Sequence, residues 1–201
     1  MLYHDVLIVG GGLSGLRAAV GLCEKYDVGL VSKVHPIRSH SIAAQGGINA
    51  ALANNPDARD DTPEKHTFDT VKGGDYLGDQ DAVEIMCKEA PVIVYEMEHW
   101  GCPFSRFPDN TIAQRPFGGA GYPRTCFSAD ITGHVLLNTL YERSVYKDVK
   151  VYSEHVVLAL VTDGNLCHGA IVLDQIKGEI IPVAAKATVF ATGGYGRVYL
   201  Y

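Results

Sequence analysis

An α/β fold built on a parallel sheet, with a small antiparallel insert, is predicted by three features of this 201-residue chain. The run Asp5-Val6-Leu7-Ile8-Val9 is β-branched and apolar on both faces, as a strand buried in the middle of a parallel sheet must be. It passes into the glycine run Gly10-Gly11-Gly12-Leu13-Ser14-Gly15 and then into a helical repeat of apolar residues. After Val149 the pattern changes to short strands separated by glycine turns. At 47% hydrophobic and 20% charged residues the composition is that of an ordinary globular domain, which excludes disorder and fibrous repeats. The length suits one domain with a small insert.

The elements follow in order. The first strand covers Asp5–Val9. From Leu13 to Tyr26, Leu16, Ala19, Val20 and Cys23 recur at helical spacing, and Asp27–Ser32 returns to a strand, completing a βαβ unit of about thirty residues. Lys33–Gly47 has no clear period and reads as an ordered loop leading into a short helix over Ile48–Leu52. Asn54–Asp61, with Pro56, is a surface loop, and Thr62 as N-cap with Pro63 behind it starts a helix to about Lys72. A further helix is expected over Asp81–Trp100, bent or interrupted at Pro91. Gly101–Cys126, rich in Gly, Pro and Arg, reads as a long ordered loop, and Asp130–Ser144 as a helix with Leu136, Leu137 and Leu140 on one face. Strands are expected over Val151–Tyr152, Val156–Val161, Cys167–Leu173 and Glu179–Pro182, with hairpin turns at Asp163-Gly164-Asn165 and Lys177-Gly178. Lys186–Ala191 is a last buried strand that enters Thr192-Gly193-Gly194.

Seventeen basic and 23 acidic residues give a net charge of −6, without a run of five like charges. That argues against a nucleic-acid or anionic-membrane surface, both of which need clustered Lys and Arg. Five widely spaced cysteines, Cys23, Cys87, Cys102, Cys126 and Cys167, contain no Cys-x-x-Cys and fit a reducing compartment. Neither a basic leader nor an 18-residue apolar stretch is encoded, so secretion and membrane spanning are not expected.

Gly10 to Gly15 satisfies Gly-x-Gly-x-x-Gly and falls after a buried strand and at a helix start, where a dinucleotide-binding turn belongs. Gly10 permits the tight turn, Gly12 lets a pyrophosphate approach the backbone, and Gly15 allows the helix to pack on the strand. The free N–H groups at the start of that helix would face the phosphates. Where an Asp or Glu usually holds the ribose, the second strand ends in Ser32-Lys33, which counts against a simple NAD site. Ser32 can still bond a ribose, and Lys33 can offset phosphate charge.

The segment Arg38-Ser39-His40-Ser41-Ile42-Ala43-Ala44-Gln45-Gly46-Gly47 is the most informative. A neutral imidazole is a competent nucleophile toward an activated carbon, and Ser39 and Ser41 are placed to orient the ring. The small residues from Ala43 to Gly47 would let main-chain N–H groups approach a flat, electron-rich ring. Taken alone, a histidine in a polar loop is more often a surface or capping residue.

The chain resembles the flavoprotein subunit of succinate dehydrogenase and fumarate reductase over essentially its whole length. The resemblance rests on Gly10–Gly15, Ser32-Lys33-Val34, Arg38–Ser41 with Ala43–Gly47, Val71-Lys72-Gly73-Gly74-Asp75 and Gly101-Cys102-Pro103-Phe104-Ser105-Arg106. It continues through Arg115–Gly119, Arg124-Thr125-Cys126, Asp130-Ile131-Thr132-Gly133-His134 and Ala191–Arg197. It implies a Rossmann-like FAD-binding domain of the glutathione-reductase type. FAD would be attached covalently to His40 through the flavin 8α carbon, a linkage that raises the potential enough to accept electrons from succinate. The cofactor-binding residues implied are Gly10, Gly11, Gly12, Leu13, Ser14, Gly15, Ser32, Lys33, Val34, Arg38, Ser39, His40, Ser41, Ala43, Ala44, Gln45, Gly46, Gly47, Ala191, Thr192 and Gly193. Gln45, Gly46 and Gly47 would sit near the ring, and Ala191-Thr192-Gly193 would close over the cofactor.

The implied organisation is a βαβ core with the flavin-attachment loop over 1–53, a helical and loop region over 54–150, an antiparallel insert over 151–185 and a return strand over 186–201. The implied activity interconverts succinate and fumarate and passes electrons to an iron-sulfur subunit. Membrane association would be peripheral and indirect, through anchor subunits on the cytoplasmic side of the inner or plasma membrane. Relatives are about three times longer, and their dicarboxylate-binding and proton-delivering residues have no counterpart here, so no catalytic residue is assigned and the chain is expected to be an N-terminal portion. Phe104 matches a position that lines the dicarboxylate pocket in relatives, or is an aromatic packed under a loop. His35, His99, His134, His155 and His168 show no metal-ligand spacing, and no metal is expected. Asp60-Asp61 reads as a solvated loop pair, and Arg115 and Arg124 as guanidinium groups satisfying loop carbonyls. Two other readings stand beside this one. A relative holding FAD noncovalently, such as L-aspartate oxidase or soluble fumarate reductase, generally lacks the attachment histidine, and a cofactor-binding module without turnover would follow from the missing residues.

Overall fold

The buried run that opens the chain forms β1 (Leu2–Val9), and the elements after it are α1 (Leu13–Leu22), β2 (Val28–Ser32), β3 (Ile48–Asn49), α2 (Pro63–Gly73), α3 (Gln80–His99), β4 (Gln114–Arg115) and β5 (Thr125–Cys126). Then come α4 (Thr132–Tyr146), β6 (Lys150–Ser153), β7 (His155–Asp163), β8 (Leu166–Asp174) and β9 (Glu179–Phe190). The computed structural model describes residues Met1–Tyr199, so Leu200, Tyr201 and the side chain of Arg197 lie outside the described residues. The chain divides into two compact units, one made of Met1–Ile42 with the chain from Leu140 onward, the other of Ala43–Thr139.

In the first unit six strands form one sheet in the order β6-β2-β1-β9-β8-β7. β1 pairs parallel to β2 (Val9 opposite Val31) and to β9 (Val9 opposite Phe190), and β2 pairs parallel to β6 (Ser32 opposite Ser153). β8 runs antiparallel to both β9 and β7. Leu7 and Ile8 are wholly buried, as a strand with parallel neighbours on both sides requires. Leu16, Ala19 and Val20 of α1 are buried too, at the helical spacing read from the sequence. Leu7, Val9 and Val31 of β1 and β2 share one core with Ala170 and Val172 of β8 and with Val183 and Ala185 of β9.

Three local expectations change. α1 ends at Leu22 and Cys23–Tyr26 is a turn, in which Lys25 and Tyr26 both donate to the Leu22 carbonyl. Val151–Tyr152, read with the antiparallel strands, instead lies in β6, which extends the parallel set beside β2. The strands expected over Glu179–Pro182 and Lys186–Ala191 are one twelve-residue strand, β9. Its first half pairs with β8 and its second with β1, so no break is needed between them. The hairpin turns fall where expected, with Gly164 and Gly178 in the left-handed region.

The second unit carries α2, α3 and a small antiparallel sheet in the order β3-β5-β4. Thr62 caps α2 by accepting from the Lys65 N–H, and Pro63 opens the helix. α3 runs uninterrupted through Pro91, whose missing N–H leaves the Cys87 carbonyl without its helical partner. The helix expected over Ile48–Leu52 does not form. Ile48 and Asn49 pair instead with Cys126 and Thr125, and the Ala50 N–H donates to the Arg124 carbonyl. Gly101–Cys126, expected as loop alone, contributes β4 and β5.

Gln114, 3% exposed, ties this unit together. Its Nε2 donates to the carbonyls of Ala50 (2.7 Å) and Arg124 (3.2 Å), and its Oε1 accepts from the Asn54 N–H (2.9 Å). Asp61 is no solvated loop residue. It is buried, and its carboxylate accepts from Arg124 Nε at 3.0 Å and Nη2 at 2.7 Å. Arg124, wholly buried, therefore serves carboxylates where loop carbonyls were expected; its Nη1 lies 2.8 Å from Asp69 as an ion pair without hydrogen-bond geometry. Burial compels that pairing, because an isolated charge there would be far costlier than a satisfied pair. Arg115 does meet carbonyls, those of Gln45 and Gly46. Phe104 is packed in the interior, 5% exposed.

Candidate functional site

β1, β2 and β9 are parallel, so their carboxyl ends lie along one edge of the sheet. The chain leaves β1 toward β2 and returns beside it as β9, which places a crevice at the switch in strand order. A cleft of about 500 Å³ opens there, within the first unit. The Gly10 N–H donates to Val31 and the Ala191 N–H to Val9, both at 2.8 Å, stitching the three strand ends together. Gly10 has φ +115°, and a Cβ on it would strike the Ala191 carbonyl. Gly15 is buried, with the Gly10 carbonyl occupying the space a side chain would need, so α1 packs tightly on the end of β1.

Gly12 is the N-cap of α1, in extended conformation and with no side-chain cap. Its neighbour Leu13 donates its N–H to Ser41 Oγ at 3.3 Å. A Cβ on Gly12 would project toward Ser41 Oγ (3.2 Å) and Ser39 Oγ (3.7 Å). Ser39 Oγ is buried without a hydrogen-bond partner in the protein, yet it stands on the wall of the cleft. A glycine cradle, an uncapped helix start and an orphaned hydroxyl facing them fit a phosphate-bearing ligand.

The cleft is lined by Gly10–Ser14, Ser32–Val34, Ser39–Ser41 and Ala191–Gly193 of the residues singled out in the sequence. Ser32 is buried, and Lys33 and Val34 are exposed on the rim. His40 begins a short 3-10 turn, His40–Ala43, and is exposed. Neither serine orients its ring: Ser41 is engaged by Leu13 and Ser39 has no partner. Arg38 is exposed and does not line the cleft. Ala43, Ala44, Gln45, Gly46 and Gly47 belong to the second unit. There Gly47, at φ +122°, lies against Thr125 and the Cys126 carbonyl, leaving no room for a side chain.

The sequence reading missed His155, Val156 and Val157 on the cleft wall. Nothing local marks them; they reach it because β6 pairs with β2 and the chain turns straight into β7. The His155 Nδ1 bonds the Ser153 carbonyl at 2.7 Å and so carries a hydrogen, while its Nε2 lies 3.8 Å from Asp174. The Asp174 carboxylate accepts the N–H groups of Lys177 and Ile176, which hold it below the usual carboxylate range. Among the described residues no group of three or more His, Cys, Asp or Glu is arranged to hold a metal ion.

Compared with known proteins, residues 5–201 match the family described as FAD binding domain. The chain belongs to that family. FAD is the family's cofactor, and the glycine cradle, the uncapped start of α1 and the unpartnered Ser39 hydroxyl suit the phosphates that such a dinucleotide carries. The chain is 48% identical, over 98% of its length, to the succinate dehydrogenase flavoprotein subunit of Coxiella burnetii, covering 35% of that protein. It is 46% identical, again over 98% of its length, to the fumarate reductase flavoprotein subunit of Mycobacterium tuberculosis, covering 33% of it. Its fold superimposes with a TM-score of 0.92 and 40% identity on a structure of E. coli quinol fumarate reductase, covering 100% of this chain and 34% of the other. The chain thus spans about a third of the length of these relatives. Among the described residues no helix is long and apolar enough to cross a membrane.

Proposed function

We propose that the chain is the FAD-binding portion of a succinate dehydrogenase or fumarate reductase flavoprotein, with FAD joined to His40 through the flavin 8α carbon. The observation that carries this reading is His40 itself, exposed and lining the same cleft as the glycine turn, where no serine restrains its ring. Gly10 to Ser14 would hold the pyrophosphate, Ser32 and Lys33 the ribose end, and Ala191 to Gly193 the far lip. Bound there, FAD supplies a two-electron acceptor and donor for the interconversion of succinate and fumarate. In the longer protein, electrons would pass to an iron-sulfur subunit, and anchor subunits would hold the assembly on the cytoplasmic face of the membrane. Residues 1–53 would form the cofactor core with the attachment loop, 54–150 its helical and loop region, 151–185 the antiparallel insert and 186–201 the return segment.

The test is flavin retention by the complete subunit. Yellow fluorescence should stay with the polypeptide after acid precipitation. His40→Ala should leave FAD bound but releasable, and should diminish succinate oxidation more than fumarate reduction. Equal release of flavin from both forms would refute the attachment.

A further inference from the structure

We infer that Gln175, in the turn between β8 and β9, is a positioning residue for the ribose end of the cleft, which it serves by holding the Lys33-Val34 rim in place; this rests on the FAD reading above. Its Nε2 donates to the Lys33 carbonyl at 2.7 Å, a bond between positions 142 residues apart in the chain. Both residues belong to the first unit. The pairing of β2 with β6 ends at Ser32 opposite Ser153, so just beyond the strand the rim takes its hold from Gln175. The glutamine is exposed, yet its base is fixed. Its own N–H donates to the Glu154 carbonyl at 3.0 Å, at the reversal from β6 to β7 where Glu154 takes φ +59°. Buried Asp174 closes the turn: its Oδ1 accepts from the Ile176 N–H (2.9 Å) and the Lys177 N–H (3.1 Å), and its carbonyl accepts from the Gly178 N–H (2.8 Å). A side chain rooted in so fixed a turn has less freedom left to lose when its amide engages Lys33.

Holding a carbonyl also orients the donor that follows it. In a trans peptide the N–H points opposite to the C=O, and among the described residues no peptide is cis. The Val34 N–H is therefore turned away from Gln175. It has no protein acceptor among the described residues, and Val34 lines the cleft. A free donor on that wall suits a hydroxyl or phosphate oxygen of a ligand. The same turn braces a second part of the wall, because Asp174 pairs across the hairpin with His155. Removing the amide of Gln175 leaves the turn and that pairing intact and frees only the rim.

Gln175→Met keeps the stem and removes the donor, and Gln175→Arg restores a donor. The readouts, by titration calorimetry on the cofactor-free protein, are the affinities for ADP, which carries a ribose, and for inorganic pyrophosphate, which engages the glycine turn alone. Gln175→Met should bind ADP about fivefold more weakly, the effect of one lost hydrogen bond. Its pyrophosphate affinity should stay within about twofold of wild type, since no donor to the phosphates has changed. Gln175→Arg should bring the ratio of the two affinities back toward the wild-type value, a rescue that a merely structural role would not produce. A ratio for Gln175→Met within about twofold of wild type overturns the inference, since that is less than one hydrogen bond contributes. An arginine variant no better than the methionine one overturns it as well, as does a wild-type protein that does not bind ADP. If Gln175→Met does not fold, Gln175→Ala is read in the same way. An unmodified His40 peptide together with a Gln175-dependent ADP affinity would refute the attachment alone. A modified His40 with an unmoved ratio would refute the role of Gln175 alone.

Discussion

Replacing Arg124 by Met should cost about 3–5 kcal/mol of stability, the range for removing one partner of a buried ion pair. The geometry places this site at the upper part of that range. Asp61 loses both of its side-chain donors, at 3.0 and 2.7 Å, and its carboxylate is only 1% exposed, so water cannot replace them. Asp69, with its side chain 20% exposed, is partly solvated and adds less. Against a typical domain stability of about 5–15 kcal/mol, the loss should be plain in urea unfolding. The single tryptophan, Trp100, lies at the end of α3 in the same unit and reports it by fluorescence. Adding Asp61→Asn to Arg124→Met removes the stranded charge and should recover about 1–3 kcal/mol, the usual coupling between contacting residues. A single-variant loss below about 1 kcal/mol, or a double variant no better than the single, would show that the pair does not carry the load assigned to it.

Gly15→Ala and Gly21→Ala are the same change on one helix with opposite expected signs. At Gly15 the new methyl meets the Gly10 carbonyl and should cost more than about 1–3 kcal/mol and reduce FAD capture. At Gly21 it meets only the end of Arg17, and thermal melting should show a gain of up to about 1 kcal/mol. His66 is buried, and burial, followed by the Arg124 charge, pushes its pKa down. The unfolded chain therefore binds the proton more readily, so its contribution is full above about pH 6.5 and is lost as pH falls below that toward the folded pKa. His66→Gln should flatten the fall in urea stability between pH 7.5 and 5.0, and an unchanged slope would exclude this group as its source. Burial pushes the Cys126 thiol up to about 12 and the Cys102 thiol to about 11, and Cys87 is wholly buried. A thiol reagent at pH 8 should quickly modify only Cys23 and Cys167 in the native chain and all five cysteines after unfolding.

What the sequence made legible was contiguous. β1, the glycine turn, α1 and β2 follow one another within a short stretch, and burial on both faces of Val6–Val9 marks the sheet centre without knowledge of any partner. Thr62 and the two glycine hairpin turns were legible for the same reason, because a cap or a turn is set by its own few residues. β3, β4 and β5 were not. Each is two residues long and exists only through pairing across nine or more intervening residues, as Ile48 does with Cys126. Asp61 looked like a solvated loop residue because its counter-charge, Arg124, lies far along the chain. In the site, the glycine turn and the end of β2 could be read from pattern, whereas His40 drew its meaning from resemblance, and His155 carried no signal until β6 was seen beside β2.

β9 has a mechanical implication. A single rod of backbone is gripped by β8 at its start and by β1 along the rest, and its final residue adjoins Ala191, where the cleft begins. Trimming or regrafting the outer hairpin would therefore tug on the lip of the cleft, and any protein engineer shortening it would have to re-anchor that rod first.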